Sequence, residues 1–414
     1  MMPLRPIRYT SYMDSRRIFL GKVASGLGTL AVAPGRVLGA NDRIRVGFIG
    51  FGDRGLELLN YVRSCANTEA TAFCDVYTRR LERAQAAAPG VTMYRDYRRM
   101  LEDASIDAVM IATPPHLHAE HFCAALDAGK HVYQEKTMAL TLDHAKRMRA
   151  AWKRDAGKHV VAIGHQACSS GQARDARMFL AEPARMGKIT AIGMRMYRNT
   201  SRGRAPGARR PAPDMNPENI AWDLFLGETP AREFDANQFV NWRHFWDYSS
   251  GNISENMTQQ LAFWYKALRL KIPQSATASG GIFVWKDGRE TPDTMSVALA
   301  QPEEMLIHWS SGSGNDHPGA GEQVLGENGT ISREAQLRYF PQKANRPEGN
   351  EMTGRATHVP HAHVEDFFDA IRSGREPSCP FELGWRVSIA ASMAVESYRR
   401  SRTVRWDAKK EEIV

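Results

Sequence analysis

The stretch VGFIGFGDRG carries three glycines, Gly50, Gly52 and Gly55. The spacing G-x-G-x-x-G suits one task. The first glycine permits a tight turn, the second lets a phosphate approach the backbone, and the third lets the next helix pack on the preceding strand. That helix then turns its free N–H groups toward the phosphates. Phe51, Asp53 and Arg54 fill the loop between the glycines. Asp75 lies 20 residues beyond Gly55 and ends the next apolar run, ATAFCD. A carboxylate at that point accepts hydrogen bonds from the ribose hydroxyls of a dinucleotide. Its charge repels a 2′-phosphate and favours NAD. Arg79 and Arg80 follow it and would receive that phosphate in NADP.

A second group could move a proton. In IATPPHLHAEHFCAALDAGKHVYQEKTMALT, Thr113 and Pro114 end one apolar run, and Glu135 and Lys136 end the next. In open α/β sheets ligands bind at the carboxyl edge of the strands, where both pairs fall. A lysine beside an oxidised nicotinamide feels its positive charge and loses some of its water. Both effects favour the neutral amine, which can take a proton from a substrate hydroxyl while hydride leaves the carbon. A plain surface lysine after a strand remains the alternative at this level.

The elements that must position these groups alternate regularly. IRVGFIG, ATAFCD, DAVMIAT, HVYQE and VVAIGH are short apolar runs, separated by helical patterns such as RGLELLNYVRSC and LDHAKRMRAAWKRDAG. This predicts a doubly wound parallel sheet, a Rossmann domain over residues 41–164. From residue 165 to 414 the pattern changes. ITAIGMRMY, ATASGGIFVW, TMSVALA, EMLIHWSS and GTISREAQLRYF read as strands, with ISENMTQQLAFWYKAL as a helix among them. HAHVEDFFDAIRSG and FELGWRVSIAASMAVESYRRS close the chain as two amphipathic helices. The second domain is therefore expected to be α+β with a mostly antiparallel open sheet.

Taken together, Gly50/Gly52/Gly55, Asp75, ATPPHLHAE, AGKHVYQEK, the GHQ of Gly164–Gln166, WDLFLG and WRHFWDY resemble the Gfo/Idh/MocA oxidoreductases. This is the glucose-fructose oxidoreductase and inositol dehydrogenase group, and the resemblance runs from residue 44 to about residue 407. It implies a carbohydrate substrate and homo-oligomers formed through the open second sheet. It also implies that His118 lies near the cofactor and that Glu135 and Lys136 meet nicotinamide ribose and substrate. Gln166 would line the nicotinamide pocket, and Trp242 and Arg243 would lie near cofactor or substrate. Two departures stand out. The family's E-K-P is Glu135-Lys136-Thr137 here. A threonine takes a cis peptide at a cost of about 2.5–4 kcal/mol, so the loop holding Lys136 is expected to differ in shape. In the second-domain helix, Glu255 stands at the family's acid position and Gln259 where a catalytic histidine is expected. The i, i+4 spacing puts both on one helix face. Glutamine binds a hydroxyl but cannot take its proton. Lys136 is then the sole base, or Glu255, Tyr248 or His244 compensates at the substrate, or dehydrogenation is weak.

Bulk properties exclude other classes. The 414 residues carry a net charge of +9, of which residues 1–40 contribute +5. The mature part is thus only mildly basic. Its one basic cluster, Arg195 to Pro211, lacks the periodicity of a recognition helix, and nucleic acid is not expected as a partner. That cluster reads as a solvated Arg/Gly/Pro loop or, alternatively, as an arm beside the active site that meets an anionic substrate. Five scattered cysteines without a CxxC read as small buried residues,. His358, His361 and His363 read as solvated residues at a helix start, and no metal is expected.

The N-terminus poses a puzzle. SRRIFLGK, Ser15–Lys22, has the form of a twin-arginine export signal, followed by an apolar run of 11 residues from Val23 to Ala33. A bilayer span takes roughly 20 residues, so no stable membrane anchor is expected. Cleavage is placed near Ala40, which makes the twin-arginine export machinery a partner and the periplasm the destination. An exported enzyme has no outside NADH pool to exchange with, so the cofactor should be tightly bound and restored within each turnover. A sugar oxidoreductase that couples oxidation to reduction satisfies this. So does a redox-neutral, NAD-dependent glycoside hydrolase working by oxidation, elimination, addition and reduction. A third reading is a non-catalytic cofactor-bearing binding protein, against which Lys136 speaks.

Overall fold

The computed structural model describes residues 43–200, 205–317, 319–342 and 361–414. The export signal, its cleavage point and His358 lie outside the described residues.

The first half alternates strands and helices as their apolar runs require. In order come β1 (Ile44–Ile49), α1 (Asp53–Ser64), β2 (Thr68–Cys74), α2 (Thr78–Ala87), β3 (Thr92–Tyr94) and α3 (Tyr97–Leu101). Then follow β4 (Ala108–Ile111), α4 (His118–Asp127), β5 (His131–Gln134), α5 (Leu142–Asp155) and β6 (Val161–Ile163). All pairings are parallel, in the order β3-β2-β1-β4-β5-β6. All four residues of β4 are buried, because helices cover both faces of such a sheet. The order reverses between β1 and β4, which opens a crevice at their carboxyl ends. Caps fix the helix starts: Thr141 accepts from the N–H of His144 ahead of α5, and Asp96 from Arg98 ahead of α3,.

The second half begins with α6 (Gly171–Leu180), α7 (Pro183–Met186), β7 (Ile189–Tyr197), α8 (Trp222–Leu226), α9 (Ala236–Val240) and α10 (Thr258–Leu268). There follow β8 (Ser275–Gly281), β9 (Thr294–Gln301), β10 (Met305–Gly312), β11 (Ala320–Gly326), β12 (Gly329–Arg333) and β13 (Leu337–Pro341). The chain closes with α11 (Ala362–Ser373), α12 (Phe381–Arg400), β14 (Val404–Asp407) and β15 (Glu412–Ile413). The sheet order is β13-β12-β11-β7-β10-β9-β8-β14-β15. β7 and β10 pair parallel; the other pairs described are antiparallel.

Four details differ from the sequence reading. GTISREAQLRYF is two strands, β12 and β13, and AGEQVLG is a further strand, β11, whose weak alternation hid it. β8 stops at Gly281 because the Asp293 carboxylate accepts from the backbone N–H groups of Phe283, Val284 and Trp285 at 3.1, 2.8 and 2.8 Å and curls the chain away. His363 is buried, with Nε2 2.8 Å from the Ile163 carbonyl and Nδ1 2.6 Å from Ser169 Oγ. It ties α11 to the first half and is not solvated.

β9 alternates buried and open residues; among the described residues one face of the second sheet is bare, while α10 and α12 lie on the other. α10 is apolar nearly all round, with Leu261, Phe263, Trp264 and Tyr265 fully buried. α12 packs on β8 and also on α5 and β6. Val364, Phe367 and Phe368 of α11 join Phe48 and Tyr133 in the core of the nucleotide half. No helix among the described residues is long and apolar enough to cross a membrane.

Candidate active site

The glycines of the first loop do different work. Gly50 has φ +89°, and a Cβ there would lie 2.8 Å from the Ala112 carbonyl oxygen. A Cβ on Gly55 would lie 2.3 Å from the Gly50 carbonyl oxygen, so this glycine lets α1 close on β1. Gly52 is different: a Cβ there meets nothing nearer than Arg80 Cζ at 3.9 Å. Protein packing does not demand that glycine; open space is kept at the N-terminus of α1, whose first N–H groups no side chain caps. Bare donors beside an open space fit a dinucleotide pyrophosphate.

The space belongs to a cleft lined among others by Gly50, Gly52, Asp75, Thr113, Trp242 and Arg243. Pro114 and Arg54 line it too. Asp75 is buried at the end of β2. Its Oδ2 accepts from the Phe51 N–H at 2.7 Å and its Oδ1 from the Tyr77 N–H at 3.0 Å. Each oxygen keeps a lone pair for a ribose hydroxyl. The Phe51 ring points away, into the core against Phe48 and Phe73, so Phe51 serves this site through its backbone alone. Asp53 pairs with Arg209 at 2.6 Å and Arg83 at 3.1 Å. The Arg209 hydrogen bond, foremost, holds its carboxyl below the usual range.

Arg54 reaches across the strand ends. Its Nη2 lies 2.6 Å from Glu135 Oε1 and its Nη1 2.7 Å from Glu57 Oε2. With its amide oxygen turned toward the guanidinium, Gln166 accepts from Arg54 Nη2 at 2.8 Å. Burial opposes the charge on Arg54, but Glu135 and Glu57 together overcome it and keep the guanidinium protonated. Glu135, expected at the nicotinamide ribose, is therefore committed to Arg54. Gly164 makes the room, since a Cβ there would lie 2.9 Å from Glu135 Oε1.

Lys136 meets Glu255 and, through it, Arg243. Lys136 Nζ donates to the Glu255 carbonyl at 3.1 Å and to Oε2 at 3.4 Å, while Arg243 Nε donates to the same Oε2 at 3.0 Å. Arg243 also stacks over the Trp242 ring, 4.0 Å from its centre. Burial would raise the carboxyl of Glu255, but Lys136 and Arg243 overcome it and bring it down to about 2. The Lys136–Thr137 peptide is cis, so the threonine did not prevent that geometry. His118 is fully buried, Nδ1 2.6 Å from the Thr137 carbonyl and Nε2 2.8 Å from that of Thr113. It pins the Lys136 loop to the end of β4 from behind, and burial lowers its pKa.

Gln259 and Tyr248 have other surroundings. Residues Ile253–Met257 form a π-helical turn before α10. From this turn Glu255 meets Lys136 and Arg243. Gln259 instead lines a second cleft with Asn256, Arg198 and Arg333. Tyr248 is fully buried, its hydroxyl bonded to Gln238 Oε1 at 2.9 Å and its ring packed on His116 and Phe225. It packs as a core residue. The carbonyl of His244 accepts from Glu290 and Thr291, and burial, with Arg289 and Arg243, lowers its imidazole to about 4. Arg209, Arg95 and Phe239 line the dinucleotide cleft and were not named from sequence, although Arg209 lies in the basic cluster. Among the described residues no three metal-binding side chains come together.

Comparison with known proteins places the first half. Residues 44–165 match the GFO_IDH_MocA model, the oxidoreductase family with an NAD-binding Rossmann fold. A 1-carboxy-3-chloro-3,4-dihydroxycyclohexa-1,5-diene dehydrogenase of Comamonas testosteroni is 33% identical over 122 residues, 30% of either chain. A glycosyl hydrolase family 109 protein of Shewanella sp. (strain W3-18-1) is 34% identical over 111 residues, 25% of this chain and 24% of that one. The chain thus spans about a quarter to a third of these relatives. The likeness of fold extends further. The WlbA dehydrogenase from Bordetella pertussis, in complex with NADH and UDP-GlcNAcA, superposes with a TM-score of 0.67 at 17% identity, covering 88% of this chain and 99% of that one.

Proposed function

We propose that the protein is an NAD(P)-dependent oxidoreductase acting on a CH–OH group of a sugar or sugar derivative with a retained cofactor. One observation carries the reading: Arg243, which lines the glycine-bearing cleft, pairs with Glu255, and Glu255 in turn holds Lys136. Gly50, Gly52, the first N–H groups of α1 and Asp75 would hold the dinucleotide, whose nicotinamide supplies a hydride acceptor. The chain's own task is then the proton. Lys136 takes it from the substrate hydroxyl. Arg243 matters here, because it keeps Glu255 paired when Lys136 exchanges its proton. Glu255 stays ionised and holds the amine in place.

NAD is favoured over NADP by the carboxylate of Asp75; Arg79 is drawn off to Asp214 at 2.9 Å, while Arg80 stays at the cleft, 3.6 Å from Asp75 Oδ1. The S-R-R-x-F-L-x-K segment supports export to the periplasm, and the bare face of the second sheet is the surface assigned to self-association. The redox-neutral glycoside hydrolase remains a second reading, favoured by the similarity to glycosyl hydrolase family 109 proteins over the nucleotide half. The test is to denature freshly purified protein, identify any released nucleotide by mass spectrometry, and incubate the native protein with panels of sugars and aryl glycosides. Release of NAD and oxidation of a sugar in the presence of a second carbonyl compound support the first reading. Cleavage of a glycoside without net change in the cofactor supports the second. A preparation that carries no nucleotide and binds neither NAD nor NADP refutes both.

A further inference from the structure

The segment from Ala205 to Ile220 is fastened beside the dinucleotide cleft, which Arg209 lines. Asn241, a buried residue beside the cleft, grips the backbone of Arg209 twice. Its Oδ1 accepts from Arg209 N–H at 2.7 Å and its Nδ2 donates to the Arg209 carbonyl at 2.9 Å. Further along, the Tyr77 hydroxyl donates to Asp214 at 2.5 Å and Arg79 pairs with the same carboxylate. The far end is tied by Thr78 N–H to the Asn219 carbonyl and by Ala221 N–H to the Val76 carbonyl, both at 2.9 Å. Tyr77, Thr78 and Arg79 follow Asp75, at the ribose end of the cleft. The strap therefore joins the second half of the chain to the nucleotide half along one side of the site.

With its backbone held, Arg209 aims its guanidinium at the start of α1, where Nη2 lies 2.6 Å from Asp53 Oδ2. Arg209 lines the cleft together with Gly50, Gly52 and Asp75. We propose that Arg209 is a ligand of the dinucleotide pyrophosphate and that its strap retains the cofactor. This rests on the dinucleotide reading above and adds to it a residue far outside the nucleotide half.

Three considerations carry it. The Arg209 and Asp53 side chains are 55% and 60% exposed, and such a pair contributes little, so exchanging partners costs little. Asp53 keeps Arg83 when Arg209 leaves. A pyrophosphate docked on the bare N–H groups of α1 would bring its charge to where Asp53 now draws Arg209. A guanidinium matches two phosphate oxygens at once, which an ammonium does not. Bound this way, the cofactor is held from both halves of the chain, and it leaves only when the strap gives way.

The test compares Arg209→Gln with wild type in the full-length protein, stripped of nucleotide. NADH binding is followed by fluorescence, and ADP-ribose and adenosine by calorimetry or competition. Dissociation constants for NADH and ADP-ribose should rise about 10–100-fold, mainly through faster release, as loss of a charged hydrogen-bond partner implies. Adenosine, which lacks phosphates, should bind as in wild type. Arg209→Lys should recover part of the loss. Unchanged affinity and release of ADP-ribose in Arg209→Gln would overturn the proposal. So would an equal weakening of adenosine, which would mean that the strap merely shapes the cleft. If wild type itself binds neither NADH nor ADP-ribose, the dinucleotide reading has failed first.

Discussion

Replacing Glu255 by Gln tests the charge cluster at the centre of the site. The carboxylate stands among two cations, Lys136 and Arg243, which bring it from its ordinary 4.5 to about 2. A folded-state pKa below the unfolded one means stability that is fully present above pH 4.5 and is lost as pH falls toward 2,. The shift corresponds to about 3 kcal/mol at neutral pH, and linkage puts more than half of that loss, roughly 2 kcal/mol, between pH 7 and pH 3. Glu255→Gln keeps the shape but cannot ionise, so this part of the pH dependence vanishes. Other carboxylates titrate alike in both proteins. The cost of two cations without their carboxylate is present at both pH values and cancels in the comparison. The assay is thermal unfolding of both proteins at a fixed scan rate at pH 7 and pH 3. Wild type should be the more stable at pH 7, and the gap should narrow by a few degrees at pH 3, since roughly 2–4 °C accompanies each kcal/mol in domains of 150–250 residues. A gap that stays constant, or widens in acid, would refute the argument that Lys136 and Arg243 jointly hold an ionised Glu255.

Lys136→Met should lower turnover by about 10²–10⁴-fold, the usual range for a lost proton-transfer group, with NADH affinity by fluorescence nearly unchanged. Gly52→Ala should fold normally by circular dichroism yet bind dinucleotide poorly, because its Cβ enters open space. Gly55→Ala should instead be destabilised, since its Cβ lies 2.3 Å from a carbonyl oxygen. Tyr248→Phe should cost about 1 kcal/mol in stability for one buried hydrogen bond and leave turnover within twofold; a large loss of turnover at unchanged stability would return Tyr248 to the substrate site.

The phosphate loop was legible from sequence because its chemistry is local. Three glycines at fixed spacing, a strand before and a helix after, are all contained within a dozen residues, and Asp75 follows at the next strand end. Trp242 and Arg243 were legible only through the resemblance. Tyr248 and His244 were judged by residue type alone, and nothing in ISENM announces the π-helical turn at Ile253–Met257. Whether a tyrosine hydroxyl faces a substrate or Gln238 depends on the fold of the intervening loop. Arg54 was seen as a loop residue, yet its partner Glu135 lies 81 positions away. The strand β11 escaped because Gly321 and Gly326 dilute its apolar pattern.

The last two helices have a consequence for how such a protein can be taken apart. α11 supplies Phe367 and Phe368 to the core of the first half, and Arg372 donates to the carbonyls of Ala66 and Asn67 at 2.6 and 3.1 Å. α12 stacks Phe381 on Trp152 of α5 and, near its other end, receives the Ala278 N–H of β8 on Ser397 Oγ. The nucleotide half is therefore not a cassette that ends with β6. A chimera that transplants residues 43–164 alone would leave its apolar floor open to water. Grafting specificity between relatives of this architecture requires moving the final helices together with the first half, or recutting the floor to suit a foreign pair.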